Sequence, residues 1–345
     1  MPALVDPANK LGNYTVTSSN GTLTLTAAPL TVAADNLSRL YGDPNPTLTG
    51  TTTGLKNGET ISVTYSTTAT QTSAVGTYPI APAVIDPNNV LGNYSLTVVN
   101  GTLTVNPAPL TVAVTSFSRL YGDPNPVFTG SITGIKNGDN ITAAFATSAD
   151  PTSNVGSYPI LAALIDPDGK LGNYTVTNNP GTLLVNPAPL NVVAADASRL
   201  YGDPNPAFTG AITGIKNGDN ITATYAGAAD PTSAVGTYPI VPTLVDPANK
   251  LGNYTVTSTN GTLTVNPAPL TIQANDATKN AGDPNPAFTG VITGIKNNDN
   301  ITASYSSPAD ATSPAGTYPI IPSADPNPLL SNYSITLING TLTVQ

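Results

Sequence analysis

The sequence of 345 residues predicts an all-β chain, a tandem array of small antiparallel β-sandwich domains, and three observations predict it. "RLYGDPNP" stands at residues 39–46, 119–126 and 199–206, and "LGNY" begins at Leu11, Leu91, Leu171 and Leu251, so one unit recurs every eighty residues. Within a unit, apolar and polar residues alternate with period two. The 30 glycines and 34 prolines fall at fixed places between β-branched runs, and no stretch carries a helical stripe. Six or seven short strands at roughly ten-residue spacing per unit indicate an immunoglobulin-like sandwich. A small β-grasp-like domain is the alternative.

The units run 27–106, 107–186, 187–266 and 267–345, with residues 1–26 matching the closing third of a unit. The opening "LVDPANKLGNYTVTSSNGTLT" nearly duplicates the stretch from Leu244, which reads as a cut through a longer array. In "ISVTYS", Ile61, Val63 and Tyr65 point to one face; in "NYSLTVV", Tyr94, Leu96 and Val98 do; in "GTLTV", Leu103 and Val105. Asn57-Gly58 and Asn100-Gly101 are expected as tight turns with positive φ. The tyrosine of "VGTYPI", at Tyr78, Tyr158, Tyr238 and Tyr318, starts a strand after a glycine and is expected to bond its hydroxyl back to a loop as a tyrosine corner. Between units "NPAP" leaves about four residues of joint, and Pro107 and Pro109 fix two φ angles. Such a joint is stiff, and four domains end to end would extend as a rod of about 130 to 160 Å.

Composition narrows the function. Cysteine, histidine and tryptophan are absent, which removes disulfides, thiolate chemistry and the usual neutral-pH acid and base. No nucleophile stands with a base, so no enzyme is expected. The net charge of −9, with basic residues scattered singly, argues against nucleic acid as partner. No apolar run is long enough to insert in a membrane, and the start lacks a signal-peptide pattern; a secretion signal or anchor is expected outside these residues.

A unit that opens "LTV", continues through "YGDPNP", "TGIKNGD", "VGTYPI" and "GNYTVT", and closes "NGTLTVNPAPL" resembles the MBG ("mostly beta, glycine-rich") repeat of large bacterial surface and secreted proteins, filamentous-haemagglutinin-like adhesins among them. The resemblance covers essentially the whole chain. It implies an extracellular β module, strung in tandem as a stalk or spacer of an adhesin-like protein, with no catalytic residue and no cofactor. It leaves open an adhesive module for a glycan or host protein, working by avidity, and a self-assembling filament in which residues 1–26 complete a partner chain's sheet. The last copy departs from the pattern, with "KNAGDPNP" from Lys279 and Ala281 where the others have tyrosine.

The repeated octapeptide divides into two parts. Gly42 and Asp43, with Gly122, Asp123, Gly202, Asp203, Gly282 and Asp283, form a structural turn followed by two prolines. Arg39, Tyr41, Arg119, Tyr121, Arg199 and Tyr201 are changed in the fourth unit, so the fold demands them less. They either pack at domain edges or joints or offer a weak contact surface. Asp43, Asp86, Glu59, Asp123, Asp139 and Asp166 could supply oxygens to calcium, but their spacing is that of ordinary turns and prolines already stiffen the joints. Lys56, Lys136, Lys216 and Lys296, beside a polar turn, are expected to be solvated. The Asn-x-Ser/Thr triplets, Asn93 and Asn173 among them, read as turn asparagines leading into threonine-rich strands.

Overall fold

The computed structural model describes residues 2–345. It divides into two compact units, one of residues 2–116, 128–147 and 159–182, the other of residues 117–127, 148–158 and 183–345. The chain is all-β, built of small repeated β domains, and among the described residues the only helical elements are short 3-10 turns.

Repeat 1 shows the plan, with seven strands: β1 (Ala28–Ala34), β2 (Leu37–Leu40), β3 (Gly50–Thr53), β4 (Ser62–Thr67), β5 (Gly76–Ile85), β6 (Tyr94–Val99) and β7 (Gly101–Asn106). One sheet has the order β3-β1-β6 and the other β2-β7-β5-β4. Repeats 3 and 4 repeat both orders, as does the first sheet of repeat 2. In repeat 2, Thr142–Thr147 pairs with Ile160–Ile165 and Leu183–Asn186 with Phe117–Leu120.

The sandwich is not purely antiparallel. β1 runs parallel to β6, Leu30 facing Leu96, and β2 parallel to β7, Leu37 facing Leu103. The cause lies in two crossings between sheets: β1 leaves for the second sheet as β2, and β6 does the same as β7, so both transfers keep direction. Asn100-Gly101 is therefore no hairpin turn and neither residue has positive φ. Gly101 opens β7 directly under the β1–β2 corner, where an added Cβ would lie 2.3 Å from the Asp35 carbonyl oxygen. Asn57-Gly58 does take the left-handed turn, at φ 52° and 68°.

Leu30, Val32, Ile80, Leu103 and Val105 fill the space between the sheets, almost wholly buried. β6 is an edge strand, and beyond Tyr94 its residues are exposed, Leu96 and Val98 included. Tyr78 Oη donates to the Ala74 carbonyl at 2.9 Å. Tyr158, Tyr238 and Tyr318 bond in the same way four residues back.

Residues 2–27 contain no strand, only a 3-10 turn at Leu11–Asn13, and Leu23 and Leu25 are exposed. The sequence that forms β6 and β7 elsewhere takes its partners from β1, β2 and β5 of its own repeat, and among residues 2–27 no strand offers such an edge. The joint between repeats is also shorter than the four residues expected. β7 ends at Asn106 and the next strand, Ala108–Val114, begins after Pro107 alone, because Pro109 lies within that strand, facing Thr175.

Candidate functional site

The octapeptide and the groups it meets make up the joint between successive repeats. β2 ends at Leu40, and the Tyr41 N–H extends its parallel ladder to the Asn106 carbonyl at 2.8 Å, which places the Tyr41 side chain beside the point where the chain passes into repeat 2. Tyr41 is buried there, packed with Val105 of its own repeat and with Ala108, Leu110, Ile141 and Tyr174 of the next. Its ring meets that of Tyr174 edge-on, centroids 5.5 Å apart at 78°, the arrangement aromatic quadrupoles favour.

The hydroxyls converge on one carboxylate. Tyr41 Oη donates to Asp139 Oδ2 at 3.1 Å and Tyr174 Oη to the same oxygen at 2.7 Å. The Lys136 N–H in turn donates to Tyr174 Oη at 2.9 Å. Burial, followed by the Asp139 carboxylate, pushes the Tyr174 hydroxyl up to about 12. Tyr333 is pushed up to about 12 for the same reasons, and Tyr254 is raised likewise.

Gly42 and Asp43 complete the contact. Gly42 sits at φ 79°, and an added Cβ would come 2.4 Å from Lys136 Cβ, so the lysine stem lies flat on the glycine. Its ammonium then reaches Asp43 Oδ1 at 2.9 Å, with both side chains more than a third exposed. On the far side of the joint the Val75 N–H donates to Asn173 Oδ1 at 2.9 Å, and Asn173 is buried.

The arrangement recurs. Tyr121 donates to Asp219 and Tyr201 to Asp299, both at 3.0 Å, and their rings meet Tyr254 and Tyr333 as Tyr41 meets Tyr174. Lys216 pairs with Asp123 and Lys296 with Asp203. Val155 donates to Asn253 and Val235 to Asn332.

Arg39 works inside its own repeat. Buried, it donates from Nε to Asn45 Oδ1 at 2.8 Å, from Nη1 to the Leu40 carbonyl and from Nη2 to the Thr70 carbonyl. Asn45 Nδ2 donates to the Ala69 carbonyl at 2.7 Å. Arg119 and Arg199 repeat the set. Together they fasten the corner to the loop before β5. In the fourth repeat Lys279 reaches only the Asp283 and Asp310 carbonyls, and Asn285 Oδ1 is buried with no partner. Ala281, Gly282 and Asp283 are exposed.

The structure thus brings Tyr41, Gly42 and Asp43 together with Lys136, Asp139, Asn173 and Tyr174 of the following repeat. Sequence reasoning found the first three and missed the receiving four as a set. The signal that could have found them is their shared period with the octapeptide. The other acidic candidates disperse: Asp86 accepts from the backbone of Val90 and Leu91, Asp166 from Lys170 and Leu171, and Glu59 accepts from the Tyr94 hydroxyl. The Leu91 and Leu171 amides hold the Asp86 and Asp166 carboxyls below the usual range. Among the described residues no three acidic groups lie together as a metal would require, and no helix is long and apolar enough to cross a membrane.

Four stretches, residues 30–104, 110–184, 190–264 and 270–343, match the model of the MBG domain (YGX type). The chain belongs to the MBG domain family. The Tyr-Gly pairs at 41–42, 121–122 and 201–202 are those of the corner, and the fourth MBG repeat keeps only the glycine. Among solved structures, the MBG chain is similar to Drosophila N-cadherin EC1-4, at 9% identity and a TM-score of 0.25, over 91% of this chain and 99% of that one. It is also similar to the Sidekick-1 immunoglobulin domains 1-4, at 9% identity and a TM-score of 0.26, over 90% and 96%. A SusE-like surface located polysaccharide binding protein of Bacteroides thetaiotaomicron aligns at 10% identity and a TM-score of 0.14, over 92% and 72%. At such TM-scores the alignments bear on neither site nor partner. No curated protein sequence matches the chain.

Proposed function

We propose that the chain is a structural stalk or spacer segment of a long bacterial extracellular or cell-surface protein, working by geometry and without catalysis or bound cofactor. The observation that carries this is the joint: at each boundary a tyrosine plugs the next repeat, a lysine stem covers a glycine, and one proline separates the strands. A flexible linker would let neighbouring domains reorient; a shared apolar core with converging hydrogen bonds resists it. The titratable side chains gathered at the joint are engaged with one another, which supports a mechanical role for them. Arg39 and Tyr41 are buried, so they present little surface to a glycan or protein ligand.

The test is small-angle X-ray scattering of the chain and of Tyr41→Ala/Tyr121→Ala/Tyr201→Ala. A compact chain of this length has a radius of gyration of about 20 Å, whereas four domains held end to end give about 40 Å. The stalk reading expects the larger value with a stiff profile, unchanged by chelator or calcium, and a flexible profile for the triple variant. A compact particle, or a triple variant as stiff as the parent, contradicts it.

A further inference from the structure

Repeat 1 carries the receiving groups of repeats 2, 3 and 4, with a glutamate in place of the aspartate, and there they stand open. Lys56, Glu59, Asn93 and Tyr94 occupy the positions of Lys136, Asp139, Asn173 and Tyr174. The receiving geometry is already formed. The Lys56 N–H donates to Tyr94 Oη at 2.8 Å, and the Tyr94 hydroxyl donates to Glu59, as Lys136, Tyr174 and Asp139 do among themselves. The difference lies in the other half. Asn93 and Lys56 are exposed where Asn173 is buried and Lys136 half-buried, and a cleft of about 390 Å³ runs between these four residues and Leu25–Ala28.

We propose that this cleft is an acceptor for the Tyr-Gly-Asp corner of an MBG repeat other than the four described here, and that Ala281 withholds such a corner from repeat 4. Three filled copies of the site in one chain define the occupant: a phenol aimed at the carboxylate, a ring edge-on to the receiving tyrosine, a glycine under the lysine stem and an aspartate for its ammonium. The corners that carry tyrosine are already engaged, Tyr41 with Asp139, Tyr121 with Asp219 and Tyr201 with Asp299. The remaining corner, at residues 279–286, has neither ring nor hydroxyl. Its Asp283 could offer Lys56 one exposed ion pair, which contributes little. A second copy of this chain is therefore a poor occupant, and head-to-tail contacts that would build an open filament are suppressed. The inference rests on the joint geometry behind the stalk reading, but its failure is distinct, because it is read in association and not in stiffness.

The test restores the missing corner. Lys279→Arg/Ala281→Tyr in the full chain gives repeat 4 a complete donor, and molar mass is followed by sedimentation across a concentration series beside the unmodified chain. Each is also prepared without residues 1–26, of which Leu25 and Thr26 border the cleft; residues 2–26 supply no strand to the four repeats. The expected result is self-association at least tenfold tighter than the unmodified chain in one or both backgrounds, abolished by adding Lys56→Ala/Asn93→Ala, two exposed positions whose loss leaves the fold intact. The proposal is overturned if the restored variant stays monomeric in both backgrounds. It is equally overturned if the acceptor substitutions leave association unchanged, or if the unmodified chain associates as tightly.

Discussion

The corner at residues 199–206 and the corner at residues 279–286 share the glycine, the aspartate and both prolines, yet they do different work. The first sends Tyr201 into the next repeat and holds Lys296 on Asp203. In the second Ala281 and Asp283 are exposed, and Asn285 Oδ1 has lost the arginine Nε that its counterparts accept from. What the two retain in common is what the turn needs; what differs is what the joint needs. The octapeptide is a turn that has been given a second task, and the fourth repeat shows the turn without it.

The largest break of this contrast is expected from Tyr121→Ala. Truncating a buried aromatic costs about 3–5 kcal/mol, so calorimetry should show a split or lowered transition, while Ala281→Tyr, on an exposed corner, should leave the transition in place. Gly122→Ala comes next, since the added Cβ meets Lys216 Cβ at 2.5 Å and φ is 81°. At Gly282, φ is 94° with open space around it, so Gly282→Ala should cost only the backbone strain of about 1–2 kcal/mol, and denaturant midpoints should separate the pair.

Alkaline pH acts on every joint at once. The folded state keeps Tyr174 and Tyr333 protonated up to about 12, above the ordinary tyrosine value near 10. Their contribution is therefore complete below about pH 10 and lost as pH rises through about 12. Melting temperature should fall across that window, and less so in Tyr174→Phe/Tyr333→Phe. Lys279→Arg should sharpen the comparison from the other side, gaining about 1 kcal/mol by giving Asn285 Oδ1 its donor. The smallest effect belongs to Asp123→Asn. The ion pair with Lys216 is more than a third exposed, so about 0.2–1 kcal/mol is expected, vanishing at high salt.

Much of the fold was legible because it is local. Period-two alternation marked the strands, the eighty-residue period marked the repeats, and a tyrosine following a glycine marked the corner hydroxyl at Tyr78. Parallel pairing was not legible, since alternation reports which face a residue takes and not the direction of its neighbour. The joint was half legible for a related reason. Tyr41 and Asp139 lie 98 residues apart and Lys136 and Asp43 lie 93, so in a chain of near-identical copies each partner has an equivalent inside its own repeat. Asp43 therefore had a sufficient local account as a turn residue, and Lys136 beside its polar turn had one as a solvated cation. Neither pointed to the other.

Four equivalent amides test the joint most directly, through hydrogen exchange read residue by residue in one sample. The Val75, Val155 and Val235 N–H groups donate across a joint to Asn173, Asn253 and Asn332, while Ala315 holds the same place in the fourth repeat, whose corner carries Ala281 in place of the tyrosine. If the corner locks successive repeats, the three valine amides exchange at least about a hundredfold more slowly than that of Ala315, and Tyr121→Ala releases Val155 first. Exchange at one common rate in all four would contradict a lock and leave the repeats joined by proline alone.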